Sequence, residues 1–151
     1  MPNDVCLFLS TEKWNFESAF IRRGTNCAWS HAGWYVRSKR MTFSAMADGR
    51  GLAWRTVRPR QQVLLLDAPG AEQSLSLALQ LEGTPYDYLD ILGIIFGRNW
   101  SLPGHLICDV AVFRFQEQAG FGLVNPRFIP RIHLTPRDIL LSPAVTLADS
   151  L

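Results

Sequence analysis

The chain has 151 residues, a length that suggests one domain with a sizeable hydrophobic core. Hydrophobic residues make up 48% and charged residues 19%, which is a globular composition and excludes a disordered chain. Arginine dominates the positive residues, but the net charge is only +2 and no nucleic-acid motif accompanies it. The amino-terminal apolar patch is too short for a signal peptide, and no apolar run approaches the ~20 residues that span a bilayer. We therefore expect one cytoplasmic domain over 1–151, with no nucleic-acid partner and no stable membrane insertion.

The first half of the chain predicts a β-sheet with one early helix, which we expect at Trp14–Arg23. Short apolar or alternating runs, separated by polar or glycine-rich turns, predict the strands. These strands are expected at 4–9, 29–37, 41–47, 52–57 and 62–66.

The strand at 29–37 contains one histidine, His31, followed by a small residue and Gly33. Period two places His31, Gly33 and Tyr35 on one face of the sheet. The other face then carries Ala32, Trp34 and Val36. A polar turn at 38–40 predicts a hairpin with the strand at 41–47.

The second half of the chain predicts helices. Residues 71–82 alternate in leucine as a strand would, yet their composition favours a helix, which we prefer. Further helices are expected at 86–96, at 105–119 and from Thr135, with a frayed tail from Ser142. The run at 105–119 also suits a strand, because Val and Phe are frequent in it. Strands followed by helices predict an α+β domain.

Cys108 falls in the first turn of the helix expected at 105–119. The positive end of a helix dipole lowers the pKa of a thiol and favours thiolate, although a lone cysteine in an apolar run is more often a buried hydrophobe. Cys6 and Cys27 are scattered, so we expect no disulfide. His105 and Cys108 would offer only two ligands to a metal, and we expect no metal site.

Three histidines could serve as a base for this thiol: His31, His105 and His133. His105 lies three residues before Cys108 on the same predicted helix, a spacing that rarely aligns a base with a nucleophile. The small residues around His31 allow another group to approach its imidazole. His133 lies in an irregular stretch, so the residues alone leave the base open among the three histidines.

The order of segments resembles the circularly permuted branch of the NlpC-type papain-like cysteine hydrolases. The resemblance rests on S-H-A-G-W-Y-V, E-G-T-P-Y-D-Y, the apolar L-D-I-L-G-I-I-F, the helix opened by Cys108 and the closing L-T-P-R-D-I-L-L-S-P. It covers roughly 4–143. It implies an antiparallel sheet or half-barrel packed against helices, with the histidine strand before the cysteine helix.

The resemblance also implies roles for single residues. Cys108 matches the nucleophile and His31 the base. Ser44 stands where the family commonly has a His or Glu that orients the base, and Asp109 stands where it usually has Ser. A serine cannot stabilise an imidazolium as a carboxylate does, and an inward carboxylate beside the thiol opposes thiolate formation.

The expected substrate-binding residues are Tyr86, which matches a tyrosine of the family, together with Trp34 and Asp109. The expected activity is thioester acyl transfer on a peptide or acyl substrate, without a cofactor. The resemblance suggests cell-wall peptides as the substrate. Release by lysis or delivery in a phage particle would bring such an enzyme to the wall. The alternatives are a lipid-directed thiol acyltransferase or esterase, with an apolar groove built from Trp34, Phe96 and Trp100, and a catalytically degenerate binding or scaffold domain.

Overall fold

The computed structural model describes residues 3–13, 16–96, 98–124 and 134–148. Within them the fold is α+β, as predicted, with one antiparallel sheet in the strand order β4-β3-β2-β1-β5-β6. The strands are β1 Val5–Thr11, β2 His31–Val36, β3 Met41–Met46, β4 Gly51–Thr56, β5 Gln62–Asp67 and β6 Thr146–Leu147.

Helices cover one face of this sheet. The ambiguous segments at 71–82 and 105–119 are both helical, each shorter than expected. Residues 14–15, at the predicted start of the first helix, lie outside the described part of the chain. The helices are α1 Phe16–Thr25, α2 Ala71–Leu79, α3 Tyr88–Phe96, α4 Cys108–Gln118 and α5 Pro136–Leu140.

The expectation of a frayed tail from Ser142 is wrong. The tail forms β6, which pairs Leu147 with Leu66 of β5, and the backbone N–H of Ala148 donates to the Leu65 carbonyl at 3.1 Å. An edge strand presents unpaired backbone groups, and a short returning segment satisfies them. The local sequence carries little sign of this long-range pairing.

The two faces of β2 follow the predicted alternation. Ala32, Trp34 and Val36 lie in the main core, which the helices cover. Tyr35 lies on the opposite face in a smaller cluster with Phe8. This alternation sends the side chains of His31 and Trp34 to different sides of the sheet.

Trp34 anchors the helices to the sheet. Its ring is fully buried, with its centroid 6.0 Å from that of Phe115 in α4, and its indole N–H donates to the Ser74 hydroxyl of α2 at 2.7 Å. A buried indole N–H needs such a partner. The contact therefore fixes α2 and α4 against β2.

The hairpin of β3 and β4 is held by a buried arginine. Arg55 donates to both carboxylate oxygens of Asp48, at 2.8 and 3.0 Å, and to the carbonyls of Gly51, Ala53 and Ser44. The hydrogen bonds from Arg55 hold the pKa of Asp48 well below its usual range. A buried guanidinium satisfied in this way fixes the hairpin that carries Ser44.

No helix in the described ranges is both long and apolar enough to cross a bilayer.

Gly33 permits the close approach of β2 and β3. A Cβ atom built on Gly33 would lie 2.6 Å from the Phe43 carbonyl oxygen and 2.7 Å from both the Phe8 ring and the Cβ of Ser44. We predict that Gly33→Ala lowers the free energy of unfolding by about 1–3 kcal/mol, the usual cost of overpacking, as measured by denaturant titration. Gly122→Ala is the control, since its added Cβ meets only one atom, at 3.8 Å. Equal stability of the two variants would contradict the packing argument.

Candidate active site

His31, the first residue of β2, is held by Ser44 of β3. A hydrogen bond of 3.0 Å joins the imidazole Nε2 to the Ser44 hydroxyl. Ser44 is fully buried, and its Cβ lies close to the side-chain-free Gly33. The edge of the imidazole also meets the Phe8 ring, with centroids 5.6 Å apart. Two contacts thus fix the ring orientation, and Gly33 makes the first of them possible.

The surroundings of His31 favour a neutral imidazole. Burial lowers the pKa of His31 to about 3, with smaller contributions from the positive charges of Arg55 and Arg58, while Asp48 acts in the opposite direction. The imidazole is therefore uncharged at neutral pH, and the same shift makes it a weak base in the resting protein.

The start of α4 is fixed by a short parallel bridge between Tyr86 and Leu106. The N–H of Leu106 donates to the Pro85 carbonyl at 3.0 Å, and the N–H of Asp87 donates to the Leu106 carbonyl at 3.1 Å. The buried Asp87 carboxylate also accepts the Leu102 N–H at 2.6 Å. These bonds fasten the loop before α4 to the start of α3 and place Cys108 as the first helical residue.

The Cys108 thiol is buried beside the histidine strand. The backbone N–H of Ala32, the residue after His31, is directed at the sulfur, and the Asp109 Oδ1 lies 3.9 Å from it. Burial raises the pKa of the Cys108 thiol, and the Asp109 charge raises it further. The predicted dipole-activated thiolate is therefore wrong for the unliganded protein, because desolvation outweighs the helix terminus.

Asp109 points inward, next to the thiol. It is buried, and its Oδ1 accepts the Val110 N–H at 3.0 Å. Burial raises the pKa of this carboxyl to about 7. The charge of Asp109 therefore changes near neutral pH. The pKa of the Cys108 thiol changes with it, because a charged Asp109 opposes thiolate formation.

His31 and Cys108 line two cavities that share part of their lining. The histidine cavity has a mixed polar and apolar lining that includes Glu12, Ser30, His31, Arg58, Gln61 and Tyr86. The thiol cavity has a largely apolar lining that includes Ile21, Ser30, Tyr86, Ile91, Ile107 and Cys108. Because Ile21, Ser30 and Tyr86 line both cavities, the imidazole and the thiol face adjoining space. Tyr86 thus lies where a substrate-lining residue is expected.

Trp34 does not line this space. It is 0% exposed and packs in the core between the sheet and α4, so its assignment to the substrate site is wrong. The period-two pattern that brings His31 to one face takes Trp34 to the other. Phe96 and Trp100, the other residues of the expected groove, are exposed and contact each other with centroids 5.8 Å apart.

Of the other histidines, His105 approaches the Pro103 carbonyl of its own loop with Nδ1, at 3.2 Å. His133 lies outside the described residues. Cys6, Cys27 and Cys108 are all free thiols. The described ranges contain no group of three or more His, Cys, Asp or Glu side chains placed to hold a metal ion.

The sequence did not predict a place in the histidine cavity for Glu12, Arg58 and Gln61. In sequence they are ordinary polar residues next to strands, and only strand pairing brings them to His31. No local signal distinguishes them from a solvated surface.

Searches of family models and of curated proteins find no match to this chain. Among solved structures, the chain is similar to the crystal structure of metalloprotein yiiX from Escherichia coli O157:H7, DUF1105. The TM-score is 0.68 at 16% sequence identity, and the likeness covers 99% of this chain and 98% of that one. At this identity the likeness shows a shared fold.

We predict that Asp109→Asn increases the reactivity of Cys108. The amide keeps an oxygen to accept the Val110 N–H but removes the charge that forms as the pH rises through about 7. The pKa of the thiol should fall, and its alkylation by iodoacetamide at pH 8 should become several-fold faster, as followed by peptide mass spectrometry. Cys27, which has a different environment, is the internal reference and should keep its rate. An unchanged rate at Cys108 would show that Asp109 does not oppose ionisation.

Proposed function

We propose that this protein is a cysteine hydrolase that cleaves amide bonds by thioester acyl transfer. Two observations support the proposal. The 3.0 Å bond from His31 Nε2 to Ser44 orients the imidazole, and the cavities lined by His31 and by the helix-initiating Cys108 share Ile21, Ser30 and Tyr86. A base oriented by a third polar group, next to a nucleophile, is the arrangement that such chemistry needs. The permuted papain-like resemblance supports the same assignment.

The hydrogen bond to Ser44 assigns different tasks to the two ring nitrogens. With Nε2 donating its proton to the Ser44 hydroxyl, Nδ1 is the nitrogen that accepts the proton of the Cys108 thiol. The sulfur attacks the substrate carbonyl carbon as that proton leaves, and the imidazolium then protonates the departing amine. Water hydrolyses the resulting thioester, with His31 again as base, and releases the acid and the free thiol.

The raised thiol pKa and the lowered imidazole pKa favour a neutral pair in the resting protein. Proton transfer is therefore expected to accompany attack rather than precede it. Backbone N–H groups in the first turn of a helix have no intrahelical acceptor, so that of Cys108 is suited to hold the developing oxyanion. Ser44 orients the imidazole but supplies no charge to stabilise the imidazolium, which predicts a slow enzyme.

Peptides are the proposed substrate class, and cell-wall peptides the proposed source, because of the resemblance. The name metalloprotein belongs to the structural relative.

An apolar surface favours a second candidate, a lipid-directed thiol acyltransferase or esterase. One face of α3 exposes large apolar side chains, and α1, which packs against it, exposes two phenylalanines. The thiol cavity lies at this junction, with Ile21 of α1 and Ile91 of α3 in its lining. An acyl chain bound there would reach Cys108. The exposed residues are Phe16, Phe20, Tyr88, Leu89, Leu92 and Phe96.

The test of the main proposal is the rate of Cys108 alkylation by iodoacetamide at neutral pH, referred to Cys27. We predict that His31→Gln slows this rate at least tenfold and that Ser44→Ala slows it several-fold, because the base is lost in the first variant and misdirected in the second. Unfolding curves check that both variants remain folded. If neither substitution slows the reaction at Cys108, the thiol has no base and the domain is a binding or scaffold domain.

The acyl group that Cys108 accepts distinguishes a peptide substrate from a lipid substrate. We predict that incubation with a peptide p-nitroanilide gives a Cys108 thioester and releases nitroaniline, whereas long-chain p-nitrophenyl esters react no faster than acetyl esters. Phe96→Ser and Trp100→Ser should leave peptide cleavage unchanged. A strong preference for long acyl chains that these two substitutions abolish would favour the lipid candidate instead.

A further inference from the structure

A charged loop borders the histidine cavity at 57–61, between β4 and β5. The Gln61 side chain accepts the backbone N–H of Arg58 at 3.1 Å and donates to the Ser10 hydroxyl at 2.8 Å. Ser10 is the residue of β1 that pairs with His31 of β2. Gln61 therefore fastens the Arg58 loop to the sheet beside the imidazole.

Arg58 is held less firmly than the other arginine near His31. Its guanidinium makes a single 3.3 Å contact with Glu12, and its side chain is 51% exposed. Arg55, in contrast, is buried and bonded to both oxygens of Asp48. The charge of Arg58 still reaches the imidazole, since it contributes to the lowered pKa of His31. One half-exposed ion pair is worth about 0–1 kcal/mol, so Glu12 is readily exchanged for another anion.

We propose that Arg58 binds a carboxylate of the substrate next to the reacting carbonyl, and that Glu12 occupies this position until the substrate arrives. This inference rests on the proposed hydrolase function and narrows its substrates to amides of acidic acyl groups. A guanidinium matches a carboxylate with two parallel hydrogen bonds, which is better than its single contact with Glu12. Arg58 and His31 line the same cavity, so the anion would lie on the imidazole side of the scissile bond.

The first test compares two thiol reagents of similar shape, iodoacetate, which is anionic, and iodoacetamide, which is neutral. The ratio of their rates at Cys108, divided by the same ratio at Cys27, should exceed one in the native protein. Arg58→Gln should lower it several-fold, and Glu12→Gln should raise it, because Arg58 then has no competing anion. Arg60→Gln is the matched control, since Arg60 is an exposed residue of the same loop that is not part of the cavity lining. A ratio that falls equally in Arg58→Gln and Arg60→Gln would overturn the inference.

The second test does not depend on the thiol. Titration with acetate, compared with acetamide at the same ionic strength, should shift the NMR signals of the Arg58 Nε–H and of the His31 ring. The shift of the His31 ring should vanish in Arg58→Gln, and both shifts should saturate at lower acetate in Glu12→Gln.

The two tests separate failure of the inference from failure of the proposed function. A Cys108 that reacts in a His31-dependent manner without charge preference, together with no acetate shift, would leave the hydrolase standing and remove the anion site. Acetate binding at Arg58 with an unreactive Cys108 would keep the site and remove the hydrolase.

Discussion

The candidate site depends on the distance between β2 and β3, which is set by a residue without a side chain. Gly33 allows the Cβ of Ser44 to approach β2, and the Ser44 hydroxyl then reaches the imidazole of His31. The other side of β3 is fixed by Arg55, which binds the Ser44 carbonyl and the Asp48 carboxylate. The orientation of the histidine is thus a property of paired strands rather than of a loop, and such positions are held more firmly.

The burial that orders this site also sets its charge state. Desolvation acts on His31 and on Cys108 in opposite directions, lowering the pKa of the base and raising that of the acid. Both shifts disfavour an ion pair between thiolate and imidazolium. In the proposed hydrolase, charge separation would therefore depend on groups that act on the bound substrate, such as backbone N–H donors at the start of α4.

Periodicity could predict much of this fold, because it reports which side of an element meets the core. Alternation in β2 separates His31 from Trp34, and the structure has these two side chains on opposite faces. Trp34, which was expected in an apolar groove, lies in the core instead.

Other features could not be predicted because they depend on long-range pairing. The pairing of β6 with β5 joins residues about eighty positions apart, and Arg58 reaches the histidine cavity only because Gln61 bonds Ser10. The inward direction of Asp109 is a further case, since a residue in the first turn of a helix can face either solvent or core. The Asp109 charge adds to the effect of the burial of Cys108, which is the main reason that the thiol is hard to ionise.

Serine at position 44 agrees with these electrostatics. A carboxylate in that buried place would stabilise the protonated imidazole and oppose the effect of Arg55 and Arg58 on the pKa of His31. A buried carboxylate there would also need its own compensating partners. Serine holds the ring by one hydrogen bond and leaves it neutral. The site therefore holds an oriented, uncharged imidazole, and no carboxylate at position 44 supports its protonated form.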